Sequence, residues 1–267
     1  MEINTFLYNL MIILSYIALF PFNMFIYGKK FGYTKLKSFL LTAVAIVVLA
    51  FLMFFLAWAE NGFKSFGDQN VVRVYPFAIL IFMLEAKIFN MDFRQLCDYH
   101  ALWPQLNYFI SHIGCIFAGC CHGFRYLPGT AGYKVAQALN FLNVLPDTDN
   151  MMPQQLYEAF SAGLIFFVLY FVAKKHNFNL GGRLLFIMLT VYGTQRFFWE
   201  FLRDNAKVIV FGPMQGVESG TFGISSLALY SVAMVIEGII FLVAFHIIDK
   251  KKADGGTDNR LASRAAA

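Results

Sequence analysis

The chain has 267 residues, of which 59% are hydrophobic and only 14% charged, with a mean hydropathy of +0.60 and a formal net charge of +5. A soluble domain of this length does not carry so apolar a composition, and the cations gather on no single face, which excludes a soluble enzyme and a nucleic-acid-binding module. The class that remains is an all-α integral membrane protein.

A membrane-spanning helix needs about 20 mostly apolar residues. Seven stretches qualify, at 5–27, 38–59, 74–90, 97–121, 159–173, 184–202 and 222–248. The first contains Asn9, Pro21 and Asn23 and lacks a cationic leader, so it reads as a retained span rather than a cleaved signal peptide. Lysine and arginine cluster at Lys29, Lys30, Lys35 and Lys37, at Lys174, Lys175 and Arg183, and at Lys250, Lys251 and Lys252. The positive-inside rule assigns these clusters to the cytoplasm, so the N-terminus and the connections 60–73, 122–158 and 203–221 are expected outside. Residues 1–252 then form one transmembrane domain. The outer loop region 122–158 is long enough to build a small surface structure or a lid. Residues 253–267 have the composition of a disordered tail or a cloning scar.

The fourth span ends in SHIGCIFAGCCHG, Ser111 to Gly123, with three cysteines, two histidines and three glycines. If the helix continues through it, His112, Cys115, Gly119 and His122 share one face, and Gly114, Ala118 and Cys121 line the next. Cys115, Gly119 and Gly123 also form a small-xxx-small row suited to close helix packing. Metal ligation fits poorly on such a helix, because the adjacent Cys120 and Cys121 point apart and no second paired motif completes the ligands. Redox use of Cys120 and Cys121 near the outer face stays open, although adjacent cysteines rarely form an unstrained disulfide.

The fifth span opens MMPQQLYEAF, with Pro153 suited to a first turn and Gln154, Gln155, Tyr157 and Glu158 crowded at its outer end. That pattern fits an interfacial helix start with an aromatic anchor, or a site on the side of Arg203. In the sixth span Tyr192, Arg196 and Glu200 recur every four residues and Arg203 follows after three, a polar stripe in an apolar rod. An ionisable group inside a membrane faces the protein interior or a cavity. The stripe is therefore either a structural Arg196–Glu200 pair or an anion site, since a guanidinium forks bidentately onto phosphate.

Three segments in order, SHIGCIFAGCCHG, PQQLYEA and YGTQRFFWEFLRD, resemble the prolipoprotein diacylglyceryl transferases over about Asp98 to Asp204, and the first is closer to a branch of relatives carrying GCxxAGCCxG. The resemblance implies seven membrane helices in the bacterial cytoplasmic membrane. It also implies transfer of a diacylglyceryl group from phosphatidylglycerol to the lipobox cysteine of a secreted preprotein, with no cofactor and no metal. On that reading Arg196 stabilises the departing phosphate, held by Glu200 and Tyr192, and His112 or His122 acts as base or phosphate ligand. Gly114, Cys115, Gly119, Cys120, Cys121, Gly123, Gln155, Tyr157, Glu158 and Arg203 would line the substrate site. The chain departs from the family pattern in having His112 for an Arg, Cys115 for an Asn and Cys120 for a Glu. Its third span, VYPFAILIFMLEAK, lacks the family's His-Gly-Gly. The other reading is a non-catalytic lipid- or partner-binding relative, or a membrane thiol protein that uses Cys115, Cys120 and Cys121.

Overall fold

The computed structural model describes residues 2–60, 62–64, 71–139, 151–203, 209–213, 215, 217–219 and 221–265. It is predominantly helical. α1 (Glu2–Ile17), α2 (Leu19–Phe22) and α3 (Gly28–Lys30) run almost continuously, joined by a π-helical turn at Asn23–Tyr27. Pro21 has no N–H to donate, which accounts for the widened turn beside it. Asn23 uses the turn to donate to Thr42 Oγ1 at 3.0 Å on α4 (Lys35–Glu60).

Two short 3₁₀ turns, Val71–Arg73 and Tyr75–Phe77, lead into α5 (Ala78–Ile88), where an apolar span over 74–90 is expected from sequence. Pro76 sits in the first turn and confines the regular helix to 11 residues. The expected span 97–121 is likewise divided, into α6 (Phe93–His100) and α7 (Trp103–Ala118). After β1 (Arg125–Tyr126) and α8 (Ala131–Leu139) come α9 (Gln154–Lys175) and α10 (Arg183–Leu202). α9 begins five residues earlier than the apolar pattern suggests, so its polar start is helix and not approach. β2 (Ile209–Pro213), β3 (Val217–Ser219) and β4 (Thr221–Ile224) precede α11 (Ser226–Ala265), with β2 antiparallel to β4 and β1 to β3. The strand at β4 replaces the expected start of the last span at 222, and α11 continues through the polar tail to Ala265. The connection 122–158, expected outside, contains a strand and a helix, and its residues 140–150 lie outside the described segments.

Among the described residues four helical stretches are long and apolar enough to cross a membrane: Asn4–Lys30, Lys35–Glu60, Gln154–Lys175 and Ser226–Asp254. α5 and α7 are shorter, and α10 carries charge along one side.

The helices meet through glycine. A Cβ on Gly193 of α10 would lie 2.6 Å from Ser231 O of α11, and one on Gly238 would lie 2.7 Å from Phe186 O, so these two backbones pack in direct contact. Gly114 plays the same part between α7 and α1, where a Cβ would lie 3.0 Å from Met11 Cβ. At the other end of the bundle, buried Asp98 accepts from the N–H groups of Leu180, Gly182 and Leu184 at 2.7, 3.0 and 3.0 Å. It thereby fixes where α10 begins, and with it the height of the polar stripe.

Candidate active site

α7 stops at Ala118 because Gly119 takes a left-handed conformation (φ 62°) and returns its N–H to Cys115 O. Cys121 is left-handed too (φ 62°), uncommon for a residue with a side chain. The chain therefore doubles back. Cys120 and Cys121 do not point apart on a continuing helix as the sequence pattern suggests, because the helix has ended and Cys121 is folded over the end of α7. Ligand-type atoms of His112, Cys115 and Cys121 come within 4.8 Å of one another.

The returning strand is threaded between the start of α9 and the end of α10. Gly123 N–H donates to Met152 O at 3.0 Å, and Phe124 N–H to Leu202 O at 3.2 Å. A Cβ on Gly123 would lie 2.8 Å from Met152 Cβ and 2.9 Å from Leu202 O, so its role is close strand contact. The expected small-xxx-small row is corrected accordingly. Gly119 caps a helix, Gly123 lies beyond it, and Gly114 is the glycine that packs one helix on another.

This threading joins three helices at one point. Glu158 of α9 is fully buried, with Oε2 2.9 Å from Arg196 Nη1 and 3.0 Å from His112 Nε2. Its Oε1 accepts from Arg203 Nε at 3.0 Å and Nη2 at 2.9 Å. Gln154, one turn earlier, donates to the same Oε1 at 2.7 Å, and Tyr108 of α7 donates to Oε2. Arg196 also pairs with Glu200 through Nη2 and donates to Tyr108 OH at 2.9 Å, while Ser225 donates to Glu200 Oε2 at 2.6 Å. Two guanidinium groups thus face two carboxylates in a dehydrated site, with charge balanced and most polar atoms satisfied.

A cavity of about 670 Å³ adjoins this network, lined among others by Asn107, His112, Cys115, Cys121, Arg196 and Arg203. Cys120 and His122 also line it. His112 Nδ1 lies 3.0 Å from Tyr108 O, which assigns that nitrogen the proton and turns Nε2 toward Glu158 and Arg203. His122 donates from Nε2 to Gly119 O at 2.5 Å, and its Nδ1 accepts from Gln155 at 3.2 Å. Burial depresses its imidazole pKa below the usual 6.5, so it is neutral near pH 7.

The structure gathers His112, Cys115, Cys120, Cys121, His122, Gln155, Glu158, Arg196, Glu200 and Arg203 as the sequence pattern suggests. Gly114, Gly119 and Gly123 serve packing and capping and are not among the residues lining the cavity, and two tyrosines stand elsewhere. Tyr192 packs edge-on against Tyr108 with ring centroids 5.1 Å apart, and its hydroxyl makes no hydrogen bond among the described residues, so it does not hold Arg196 by one. Tyr157 stacks on Trp199 at 6.2 Å, away from the cavity lining. Arg196 is also less free than an anion fork would be, since both Nη atoms are committed to protein partners. Tyr108 and Ser225 are missed by sequence reasoning, while Gln154 is seen only as part of the polar start of the fifth span. Tyr108 and Gln154 each sit four residues before a recognised site residue, a usable signal; Ser225 offers none.

A sequence model of the family described as prolipoprotein diacylglyceryl transferase matches residues 2–244. Curated relatives named phosphatidylglycerol–prolipoprotein diacylglyceryl transferase include one from Campylobacter hominis, 27% identical over 222 residues, covering 80% of this chain and 68% of the relative. One from Campylobacter curvus is 29% identical over 180 residues, covering 67% and 57%. One from Campylobacter lari is 31% identical over 100 residues, covering 38% and 33%. The chain therefore spans less than two thirds of the second and third relatives it matches. The family match takes in all three helices that meet at Glu158, and the chain is accordingly a member of the prolipoprotein diacylglyceryl transferase family.

Proposed function

We propose that the protein transfers a diacylglyceryl group from phosphatidylglycerol to a thiol, with the lipobox cysteine of a secreted preprotein as acceptor. The observation that carries this reading is a cavity beside buried arginines whose geometry is already set by Glu158 and Glu200. As the thiol sulfur attacks the glyceryl carbon, the C–O bond to phosphate breaks and glycerol phosphate departs with growing negative charge. Cations held in place in a dry site stabilise that charge without reorganising. Arg203 commits Nε and Nη2 to Glu158 and faces the cavity, so it is the phosphate contact. Arg196, tied down at both Nη atoms, supplies the field behind it.

The acceptor thiol must lose a proton, and the two imidazoles at the cavity are His112 and His122. His122, neutral through burial, suits the role of proton acceptor. The enzyme works as a single domain over residues 1–252 of the bacterial cytoplasmic membrane, crossing it seven times with the N-terminus outside and the C-terminus in the cytoplasm. The lysine and arginine pattern and the four long apolar helices support that arrangement.

The test is purified protein in lipid nanodiscs, given phosphatidylglycerol labelled in an acyl chain and a synthetic lipobox peptide. Labelled thioether on the peptide cysteine and equimolar glycerol phosphate are expected. No transfer and no saturable phosphatidylglycerol binding would refute the reading.

A further inference from the structure

The mechanism above leaves unused the three cysteines that the turn at Gly119–Cys121 brings together. Soft donors from one imidazole and two thiols, those of His112, Cys115 and Cys121, lie within 4.8 Å of one another and line the cavity. In a tetrahedral zinc site, Zn–S bonds of about 2.3 Å and Zn–N bonds of about 2.0 Å separate neighbouring donors by roughly 3.6 Å. The cluster needs to close by only about 1 Å, a side-chain adjustment.

Three features favour a metal over incidental crowding. His112 donates Nδ1–H to the Tyr108 carbonyl at 3.0 Å, the outer hydrogen bond by which proteins set the tautomer of a metal-binding histidine; Nε2, 3.0 Å from Glu158 Oε2 and 3.3 Å from Arg203 Nη2, then exchanges those contacts for the ion. Cys121 is held at a φ of 62°, a conformation that costs about 1 kcal/mol or more without glycine and is kept where the side chain must point one way. The donor set is also electrically suited to its place. Two thiolates cancel the charge of a divalent ion, so the loaded site is neutral beside a network that itself pairs Arg196 and Arg203 with Glu158 and Glu200.

We propose that His112, Cys115 and Cys121 bind one zinc ion whose fourth position opens on the cavity and takes the acceptor thiol. This rests on the transferase reading and adds to the base at His122 a second means of ionising the acceptor at neutral pH. On binding zinc the acceptor S–H loses its proton, which His122 or bulk water accepts. The zinc-bound thiolate gives a sulfur lone pair to the glyceryl carbon, and the electron pair of the breaking C–O bond leaves on glycerol phosphate. The thioether formed is neutral, a weaker ligand than thiolate, and is released. No oxidant or reductant enters.

The experiment uses the full chain in nanodiscs, loaded with zinc(II) or cobalt(II) and assayed for metal content, thiol reactivity and transfer. About one metal per chain is expected, with a thiolate-to-cobalt charge-transfer band whose shape shifts when the lipobox peptide is added. Zinc should protect two cysteines of the unmodified chain from an alkylating reagent, a readout that needs no variant. Cys115→Ser and Cys121→Ser should each weaken metal binding at least tenfold, whereas Cys97→Ser, in the core of α6, should not. Absence of thiolate charge transfer, or unchanged thiol reactivity with zinc present, would overturn the site. Full transfer after chelation and in Cys115→Ser would overturn the zinc role and leave the transferase reading standing. Stoichiometric metal at these residues without transfer to any thiol would uphold the site and remove the transferase reading instead.

Discussion

Arg203 lies 45 residues beyond Glu158, yet sets both Nε and Nη2 on its Oε1 at 3.0 and 2.9 Å. The other carboxylate oxygen faces Arg196 and His112, so one buried side chain from α9 anchors α7, α10 and the segment beyond α10. Glu158→Gln should therefore act on stability before chemistry. Leaving two arginines and an imidazole around a neutral amide is expected to cost about 3–5 kcal/mol, read as a fall in the melting temperature of detergent-solubilised protein. An unchanged melting temperature would show that the network is not structural.

The two arginines should part company under conservative replacement. Arg203→Lys keeps a positive charge but loses the fork, and turnover of phosphatidylglycerol should fall by at least about tenfold with a smaller fall in melting temperature than Arg196→Lys gives. Arg196→Lys should lower both, because Nη1 and Nη2 hold Glu158, Tyr108 and Glu200 together. Steady-state kinetics beside thermal melts on both variants separates them, and the reverse pattern would exchange their roles.

Acid should loosen the fold through His122. Its folded pKa lies below the ordinary 6.5, so the unfolded chain binds the proton more readily. The contribution from the neutral ring is complete above about pH 6.5 and is lost as the pH falls from there toward the folded value. Melting temperature measured from pH 8 to pH 5 should decline over that window, and less steeply in His122→Gln. Identical profiles for the two proteins would remove His122 as the cause.

Gly123→Ala tests the threading of the strand after α7. The added methyl would meet Met152 Cβ at 2.8 Å and Leu202 O at 2.9 Å, and the second contact is backbone that cannot rotate away. A loss of about 1–3 kcal/mol is expected, with reduced transfer, because the displaced strand carries His122 and Cys121. Wild-type stability and activity together would contradict the close approach.

Orientation is open to chemical labelling in intact cells. In a chain whose native cysteines are blocked first, a cysteine at Lys35 should resist an impermeant thiol reagent and one at Gly129, in the outer loop, should react. Labelling at both sites would overturn the seven-span arrangement.

The sequence by itself determined the class of the protein and most of the residues at its centre. Hydropathy over windows of about 20 residues is a local property, and an arginine or glutamate inside such a window has nowhere to go but the interior, so the stripe on α10 was legible before any contact was known. Only tertiary structure decided what those residues do. Along the helix Arg196 has its i+4 neighbour Glu200 as the one visible partner, which leaves a structural pair and an anion fork both open; its second carboxylate arrives from α9, 38 residues away. The cysteines looked divergent because a continuous helix was assumed through Gly119, and two left-handed residues fold Cys121 back instead. Periodicity describes a chain only while its backbone stays regular. A cap, a π-helical turn or a strand threaded between helices is set by energies of contact with distant residues, and those are absent from any local window.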